Sequence, residues 1–360
     1  MVKTYKLMII SAPGVHLASF AGLMNEAGLS LHIVSSAKPE LPFDFGFTKV
    51  AFSLKDPRHY GASLKAMRKA HREFAPDVVH VHQLNSVAFF AIKALHKLGS
   101  PIVATAWGSD VLVQPQRSFL HRSLMRYSLK RAGAFTSDSA HMARVMQQYL
   151  PEKKLDVVVC NFGVKPEPVD LPKEDIIYSN RLHNPLYRID KVIDAFERFS
   201  SSGEGTGWEL VIAATGSESE KLRARAEATG VAERIRFLGW LPAAENRAWY
   251  ARSKVWVSVP ESDATAISLL EAMYYGCFPV LSDLPVSPEW VDHGRNGRIV
   301  KDLDSNFLEG VSAVDFNAVG RINQAIVQER GTHEAAIKAF TGLHLRLMEQ
   351  ESSNHPPKNQ

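Results

Sequence analysis

Short apolar runs alternate with helical patterns along nearly the whole chain, and they do so twice. "KLMIIS" (6–11), "LSLHIVSS" (29–36), "PDVVHVH" (76–82), "PIVATAW" (101–107) and "GAFTSD" (133–138) have the length and apolar content of buried strands. Helical patterns lie between them, for example 16–26 and 86–98. The alternation restarts with "DIIYSN", "WELVIAAT", "RIRFLGW", "SKVWVSV", "CFPVLSD" and "GRIV". Parallel neighbours need a long crossover, usually a helix, so this pattern demands parallel sheets. The break between the two series, "NFGVKPEPVDLPKED" (161–175), carries three prolines and several charges and reads as a linker. A chain of 360 residues also exceeds the roughly 250–300 at which one core stops growing.

The expected fold class is therefore α/β, with two Rossmann-like doubly wound domains at 1–165 and 166–330. A last helix, 331–349, is expected to pack back on the first domain, and 350–360 to be a disordered tail. Two such domains are expected to face a central cleft, with ligands at the carboxyl ends of the strands.

Several function classes are excluded. The two cysteines stand far apart and outside any metal spacing, which fits a reducing compartment without a disulfide framework. No apolar run approaches the ~20 residues of a membrane span, and "YKLMIIS" is too short for a signal peptide. A net charge of +4 suits anionic ligands or an anionic membrane surface, and no nucleic-acid motif accompanies it. The first loop, "SAPGVHL", lacks GxGxxG, against a dinucleotide-dependent dehydrogenase.

The stretch "SVPESDATAISLLEAMYYGCFPV" (258–280) poses the chemical question. It reads strand, polar loop, helix, strand, and Glu271 shares a helical stripe with Ile267, Leu270 and Tyr274. A buried carboxylate without partners costs several kcal/mol or more, or takes up a proton. Asp263 precedes it by eight positions at a helix entrance, where main-chain N–H groups form an anion site. From these residues alone, Asp263 is either a ligand contact or a helix cap, and Glu271 either a ligand acceptor or the partner of a buried arginine. Arg181 and Arg188 sit on one strand-to-helix loop, able to clamp a diphosphate or to stand exposed. Gly216 lies in another such turn, where a backbone can approach a ligand closely. Asp110 fits the N-cap of a helix. His80 and His82 share a strand face, a spacing zinc sites also use, but no third ligand is evident and a core or cleft role is expected. "DLD" (302–304) reads as a turn.

"RLHNPLYRIDKVIDAF", "ATGSESEKL", "RIRFLGWLP", "DATAISLLEAMYYGCFPV" and "HGRNGRIV", in this order, resemble the carboxyl-terminal domain of family 4 retaining glycosyltransferases of the GT-B fold. "NFGV" resembles the turn at that family's domain crossover. "PDVVHVHQLN", "TAWGSDV" and "TSDSAHM" resemble its amino-terminal half. The resemblance implies that Glu271 accepts hydrogen bonds from the ribose of a UDP- or GDP-sugar. It implies that Asp263 contacts the transferred sugar, and that the backbone of Ala264, Thr265, Ala266 and Ile267 supports the diphosphate. Gly216 belongs to the same donor site, and the segment with Gly239 and Leu241 would carry the base. Arg181 and Arg188 would meet the leaving-group charge, so that no metal is required. Gly14, His82, Trp107 and Gly108 fall on the acceptor side, with Asp110 orienting acceptor or sugar. The chain departs from the family at Asp263, where Glu is usual, and at Trp107, where His is usual.

The implied function is hexosyl transfer with retention to a glycan or lipid-linked acceptor, in bacterial surface polysaccharide synthesis on the cytoplasmic side. A nucleotide-sugar epimerase and a catalytically silent scaffold of the same fold are the alternatives. Two basic helix faces, Lys65, Arg68, Lys69 and Arg72, and Arg122, Arg126 and Lys130, are either solvated or dock on anionic lipid.

Overall fold

The computed structural model describes residues 4–54, 57–165 and 167–354. The chain forms two compact units, 1–162 together with 333–360, and 163–332.

In the first unit the strands are β1 (Lys6–Ile10), β2 (Ser30–Ser35), β3 (Gly46–Lys49), β4 (Val78–His82), β5 (Ile102–Thr105), β6 (Ala134–Ser137) and β7 (Val157–Val159). They form one parallel sheet in the order β3-β2-β1-β4-β5-β6-β7. Its crossovers are α1 (Val15–Glu26), α2 (Pro57–Phe74), α3 (Ser86–Leu95), the short α4 (Ser109–Leu112) and α5 (Gln114–Arg117), α6 (Phe119–Arg131) and α7 (Ala140–Tyr149). Both faces of the central strands are covered. Met8, Ile10, Val79, Val81 and Ala104 join the core under α2, α3, α6 and α7. Leu7, Ile9, Val78, Val103 and Ala134 face the other way, against α1 and the last helix. This two-sided burial is why the strands read as unbroken apolar runs.

In the second unit β8 (Glu174–Ser179), β9 (Glu209–Ala213), β10 (Ile235–Gly239), β11 (Ser253–Ser258), β12 (Phe278–Ser282) and β13 (Arg298–Val300) form a parallel sheet ordered β10-β9-β8-β11-β12-β13. Helices α8 (Ile189–Ser201), α9 (Ser219–Glu227), α10 (Ala243–Arg252), α11 (Ile267–Tyr274) and α12 (Phe316–Arg330) cover it. The two parallel-sheet Rossmann-like units are the expected fold class.

The last helix, α13 (His333–Asn354), belongs to the first unit. Ala336, Phe340, Leu343 and Leu347 recur at helical spacing and are buried in the core beside α1. The helix overruns the expected 331–349, because its pattern continues and the Ser353 hydroxyl donates to the Glu349 carbonyl. Residues 350–354 of the expected disordered tail are therefore helical, and 355–360 lie outside the described residues.

Candidate functional site

In the second sheet the chain turns one way from β8 to β9 and β10, and the other way from β11 to β12 and β13. The switch point lies between β8 and β11, and the crevice at their carboxyl ends is where open α/β sheets bind ligands. Arg181 follows β8 and Asp263 follows β11. They meet across the switch point, Nη2 donating to Oδ2 at 2.6 Å. Nη1 donates to the Ser268 hydroxyl at the start of α11, 2.7 Å away, and the guanidinium lies over the Tyr187 ring. Arg181 is thus largely buried, and its Nε has no partner among the described residues. Burial raises the Asp263 carboxyl above the ordinary range, against the pull of Arg181 and the Ala264 N–H. Asp263 does not cap the helix. Ala266 stands at the N-cap, so the carboxylate is left on the loop, facing Arg181.

Glu271 lies on α11, half-buried. Its carboxylate accepts from the Tyr250 hydroxyl at 3.1 Å, and among the described residues no arginine pairs with it. The nearest candidate, Arg247, is bound to Glu167 at 2.6 Å. Burial raises the Glu271 carboxyl, while Tyr250 and Arg247 hold it down. A half-buried carboxylate with one donor retains most of its accepting capacity.

Between these groups run Ala264 and Ala266, half-buried, and Ile267, whose side chain is exposed at the head of α11. The first N–H groups of that helix have no intrahelical acceptors. Thr265 is buried, with its hydroxyl accepting from the Trp290 indole. Gly239 ends β10 with φ 71°, a conformation glycine adopts without strain, and its carbonyl accepts from Ala214. Leu241 follows, half-buried, and the intervening Trp240 is exposed.

Two residues of the expected donor site also serve the protein itself. Arg188 is not an open clamp. Its backbone is left-handed at the head of α8, and its guanidinium donates to the carbonyls of Val259 and Pro260. It braces the loop that carries Asp263, a role no charge pattern reveals. Gly216 is small for a different neighbour: a Cβ there would stand 2.3 Å from the His183 carbonyl oxygen. The close approach is between two loops of the protein. Ser268, Tyr187 and Tyr250 are the site residues that motif order did not single out. Their signal was only a polar tip inside otherwise apolar helices and loops.

In the first unit the switch point lies between β1 and β4. Gly14 follows β1 and heads α1 with φ 146°, and Gly108 heads α4 with φ 106°. Asp110 is buried and is not the cap of α4. Its two oxygens accept from the main-chain N–H groups of Leu84 and Trp107, at 2.7 and 2.9 Å. It ties the loops after β4 and β5 together. The carboxylate is thus held by the protein's own main chain. The Trp107 indole donates to His82 Nδ1 at 3.0 Å, and the His16 ring packs on Trp107. His82 is fully buried, its pKa pushed down to about 3 by burial with repulsion from His16 and His344. It is a core histidine that fixes the indole.

The expected lipid-facing charges are mostly engaged. Arg122 donates to the Pro115 carbonyl, Arg126 to the Tyr149 carbonyl and Glu152, and Lys130 pairs with Glu152. They pin α6 to its neighbours, which corrects the reading of a free basic face. Arg68 likewise donates to the Ala94 carbonyl, while Lys65, Lys69 and Arg72 are exposed, Lys69 beside Glu73 at 3.6 Å. Among the described residues, no three His, Cys, Asp or Glu side chains are grouped to hold a metal ion, and no helix is long and apolar enough to cross a membrane.

Residues 7–139 match the family described as "Glycosyl transferase 4-like", and 164–311 match "Glycosyl transferases group 1". Together the two matches span most of the chain, one in each unit. The chain is a glycosyltransferase built from two Rossmann-like units, as in GT-B enzymes. It is similar to a lipopolysaccharide 1,6-galactosyltransferase of Salmonella typhimurium, 26% identical over 273 residues, which are 72% of this chain and 68% of that one. The fold is shared with the lipopolysaccharide outer core galactosyltransferase WaaB in its apo form, with TM-score 0.72, 16% identity, and 95% and 99% of the two chains covered. It is shared also with Anabaena HepE in complex with UDP, with TM-score 0.74, 14% identity, and 97% and 100% covered.

Proposed function

We propose that this glycosyltransferase moves a hexose from a nucleoside diphosphate sugar to a growing lipopolysaccharide, with retention at the anomeric carbon and without a metal, in the manner of family 4. The second unit takes the donor, with UDP the first nucleotide to test. Glu271 accepts the ribose hydroxyls, and Arg181 with the head of α11 takes the diphosphate. As the bond from the anomeric carbon to the phosphate oxygen breaks, charge grows on the departing diphosphate. Prepositioned donors stabilise it there. The acceptor oxygen forms its bond on the same face of the sugar and gives its proton to the departing diphosphate oxygen. The Salmonella relative's name supports the galactosyl and lipopolysaccharide reading, and the neighbours bound to UDP or UDP-glucose support the donor class.

One observation carries this reading: among the described residues, the half-buried Glu271 carboxylate has a single protein donor and no arginine. Glu271→Gln keeps the shape and an acceptor for Tyr250. It should weaken UDP binding about 10–100-fold, the worth of hydrogen bonds to a charged acceptor. The melting temperature should stay close to wild type, because no ion pair is lost. Calorimetric titration beside a melting curve measures both. Unchanged affinity with a lowered melting temperature rejects the ribose assignment. Incubation with the nucleotide sugar alone separates slow nucleotide release from the isomerised sugar of an epimerase and the inertness of a scaffold.

The proposal places the enzyme at the cytoplasmic membrane surface, where a lipid-linked acceptor resides. The exposed Lys65, Lys69 and Arg72 on α2 and the exposed Phe119 and Leu120 at the head of α6 support that placement. The protein should sediment with anionic vesicles at low salt and release at high salt, since exposed charges are screened beyond about 8 Å at physiological ionic strength. Reversing the three α2 cations to Glu should abolish sedimentation and spare UDP binding. Wild-type indifference to anionic vesicles at low salt would leave a soluble acceptor as the better reading.

A further inference from the structure

The Tyr250 hydroxyl that reaches Glu271 is the end of a chain of hydrogen bonds through the second unit. The Trp256 indole donates to Asn180 Oδ1 at 2.9 Å. Asn180 Nδ2 donates to the Tyr250 oxygen at 2.7 Å and to Asn246 Oδ1 at 3.1 Å. Tyr250 donates to Glu271 Oε2 at 3.1 Å, and the Tyr178 hydroxyl also donates to Asn246 Oδ1. The four links come from β11, the end of β8, α10 and α11.

The direction of this chain follows from donor chemistry. An indole N–H can only donate, so the Asn180 amide must present its oxygen to Trp256. Its nitrogen then faces Tyr250, whose oxygen must accept. The one Tyr250 proton is left for Glu271. Each step is therefore fixed by the last, and every bond polarises the next toward the carboxylate. Tyr250 and Trp256 are fully buried, so no water competes for these partners.

We propose that Trp256, Asn180 and Tyr250 form a one-way donor relay that positions the Glu271 carboxylate for the nucleotide and keeps it ionised, with Tyr250 as the principal positioning residue. This rests on the reading of Glu271 as the nucleotide acceptor. Burial works against ionisation of Glu271, and the Tyr250 hydrogen bond opposes that burial more than the charge of Arg247 does. Tyr250 itself is held protonated by burial, so it remains a donor throughout. The other groups facing Glu271 are Tyr178 on β8 and Tyr275 beyond the end of α11, both with raised pKa values. β12 contributes no titratable side chain, and Arg321, Glu329 and Arg330 of α12 are exposed.

The sign of the consequence is definite. Ribose hydroxyls donate best to a carboxylate, so affinity falls as pH drops through the Glu271 pKa. Tyr250→Phe removes the group that holds that pKa down. The acid-side loss of affinity must then begin at a higher pH than in wild type.

The test is calorimetric titration with UDP and, in parallel, GDP across pH 5 to 8, on wild type, Tyr250→Phe, Glu271→Gln and the double variant. Tyr250→Phe should weaken binding about tenfold at neutral pH, as expected for one hydrogen bond to a charged group. Its acid limb should move to higher pH. Glu271→Gln should keep only the limb of the nucleotide's own terminal phosphate, which titrates at pH ~6, and adding Tyr250→Phe should not move it. A Tyr250→Phe protein that binds less tightly but keeps the wild-type pH limb has a structural role only, and the relay is wrong. If Glu271→Gln binds like wild type, the nucleotide reading of Glu271 fails first. Asn180→Ala, at a half-buried position, serves if Tyr250→Phe does not fold. It should shift the limb in the same direction by less, and an unmoved limb overturns the relay.

Discussion

Arg181→Ala should lower kcat by about 10²–10³, the usual cost of losing one prepositioned donor to a developing oxyanion. The structure makes Arg181 the better placed of the two loop arginines. Its guanidinium is fixed on three sides, by Asp263, by Ser268 and by the Tyr187 ring, and Nε is still without a partner among the described residues. A donor fixed before the reaction needs no reorganisation during it. The loss should fall on kcat more than on KM, because leaving-group charge is larger in the transition state than in the bound donor. The substitution also strands Asp263, whose carboxyl is already raised by burial. Stability should drop by about 1–3 kcal/mol, below the cost of breaking a fully buried pair because Asp263 is 24% exposed. Arg181→Ala/Asp263→Asn should recover much of that stability and none of the rate. Steady-state kinetics at saturating donor, with urea unfolding, reads both. Arg188→Ala should act differently, loosening the loop at Val259 and Pro260 and so raising KM and lowering stability together. Activity of Arg181→Ala within a few-fold of wild type rules out the leaving-group role.

The contrast between those arginines shows where sequence reasoning stops. Both follow β8, and a clamp was the natural inference from two cations on one loop. Which of them faces the switch point depends on a left-handed turn at Arg188 and on carbonyls 71 and 72 residues away. Asp110 teaches the same lesson. Its motif neighbours were readable, but not that both oxygens are spent on main-chain N–H groups of two loops. The fold was far more legible. Central strands such as β1, β4 and β11 are buried on both faces and leave unmistakable apolar runs. The unread strands are β3 at one edge and β7 at the other. "GFTK" and "VVV" are four and three residues long and only partly buried, so neither composition nor periodicity separates them from loop. Tyr250 and Asn180 escaped for a third reason. Their apolar bodies belong to the core pattern, and only the fold brings their polar tips together.

Mild acid should unfold the first unit before the second. Within that unit the Tyr5 hydroxyl bonds to His344 Nδ1 at 2.6 Å, and His344 Nε2 to His80 Nδ1 at 2.8 Å. His80 Nε2 bonds to the Thr105 hydroxyl at 2.6 Å, and Thr105 to Thr136. Each imidazole can fill this chain with one proton, so all bonds are satisfied when the histidines are neutral. A second proton on any of them would place a charge in the buried core, where burial penalises it. Burial, the largest effect, pushes His82 and His344 down to about 3 and His80 well below its ordinary value. In the unfolded chain these groups titrate near 6.5. Between that value and about 3 the unfolded state binds more protons, so stability falls as pH falls, by about 1.4 kcal/mol per pH unit for each histidine. By pH 5, His82 and His344 together remove about 4 kcal/mol, with His80 adding in the same direction. That is a large part of the ~5–15 kcal/mol that holds a typical domain. Asp110 works the other way, since burial raises its pKa and the folded state takes up its proton more readily, but it is one group against several, since burial lowers His16, His32 and His71 as well. In the second unit His183 is the one histidine with a lowered pKa, and the raised carboxyls of Asp263 and Glu271 oppose it. Hydrogen exchange at pH 5 and pH 7.5 should therefore show protection lost in β1, β4, β5 and α13 while β8 and β11 keep theirs. His344→Gln, which keeps a donor and an acceptor but cannot titrate, should flatten the acid slope by about one histidine's worth, ~1.4 kcal/mol per pH unit. If both units hold their protection to pH 4 and then lose it together, carboxylate protonation is the cause, and the buried neutral histidines do not set the acid limit of this fold.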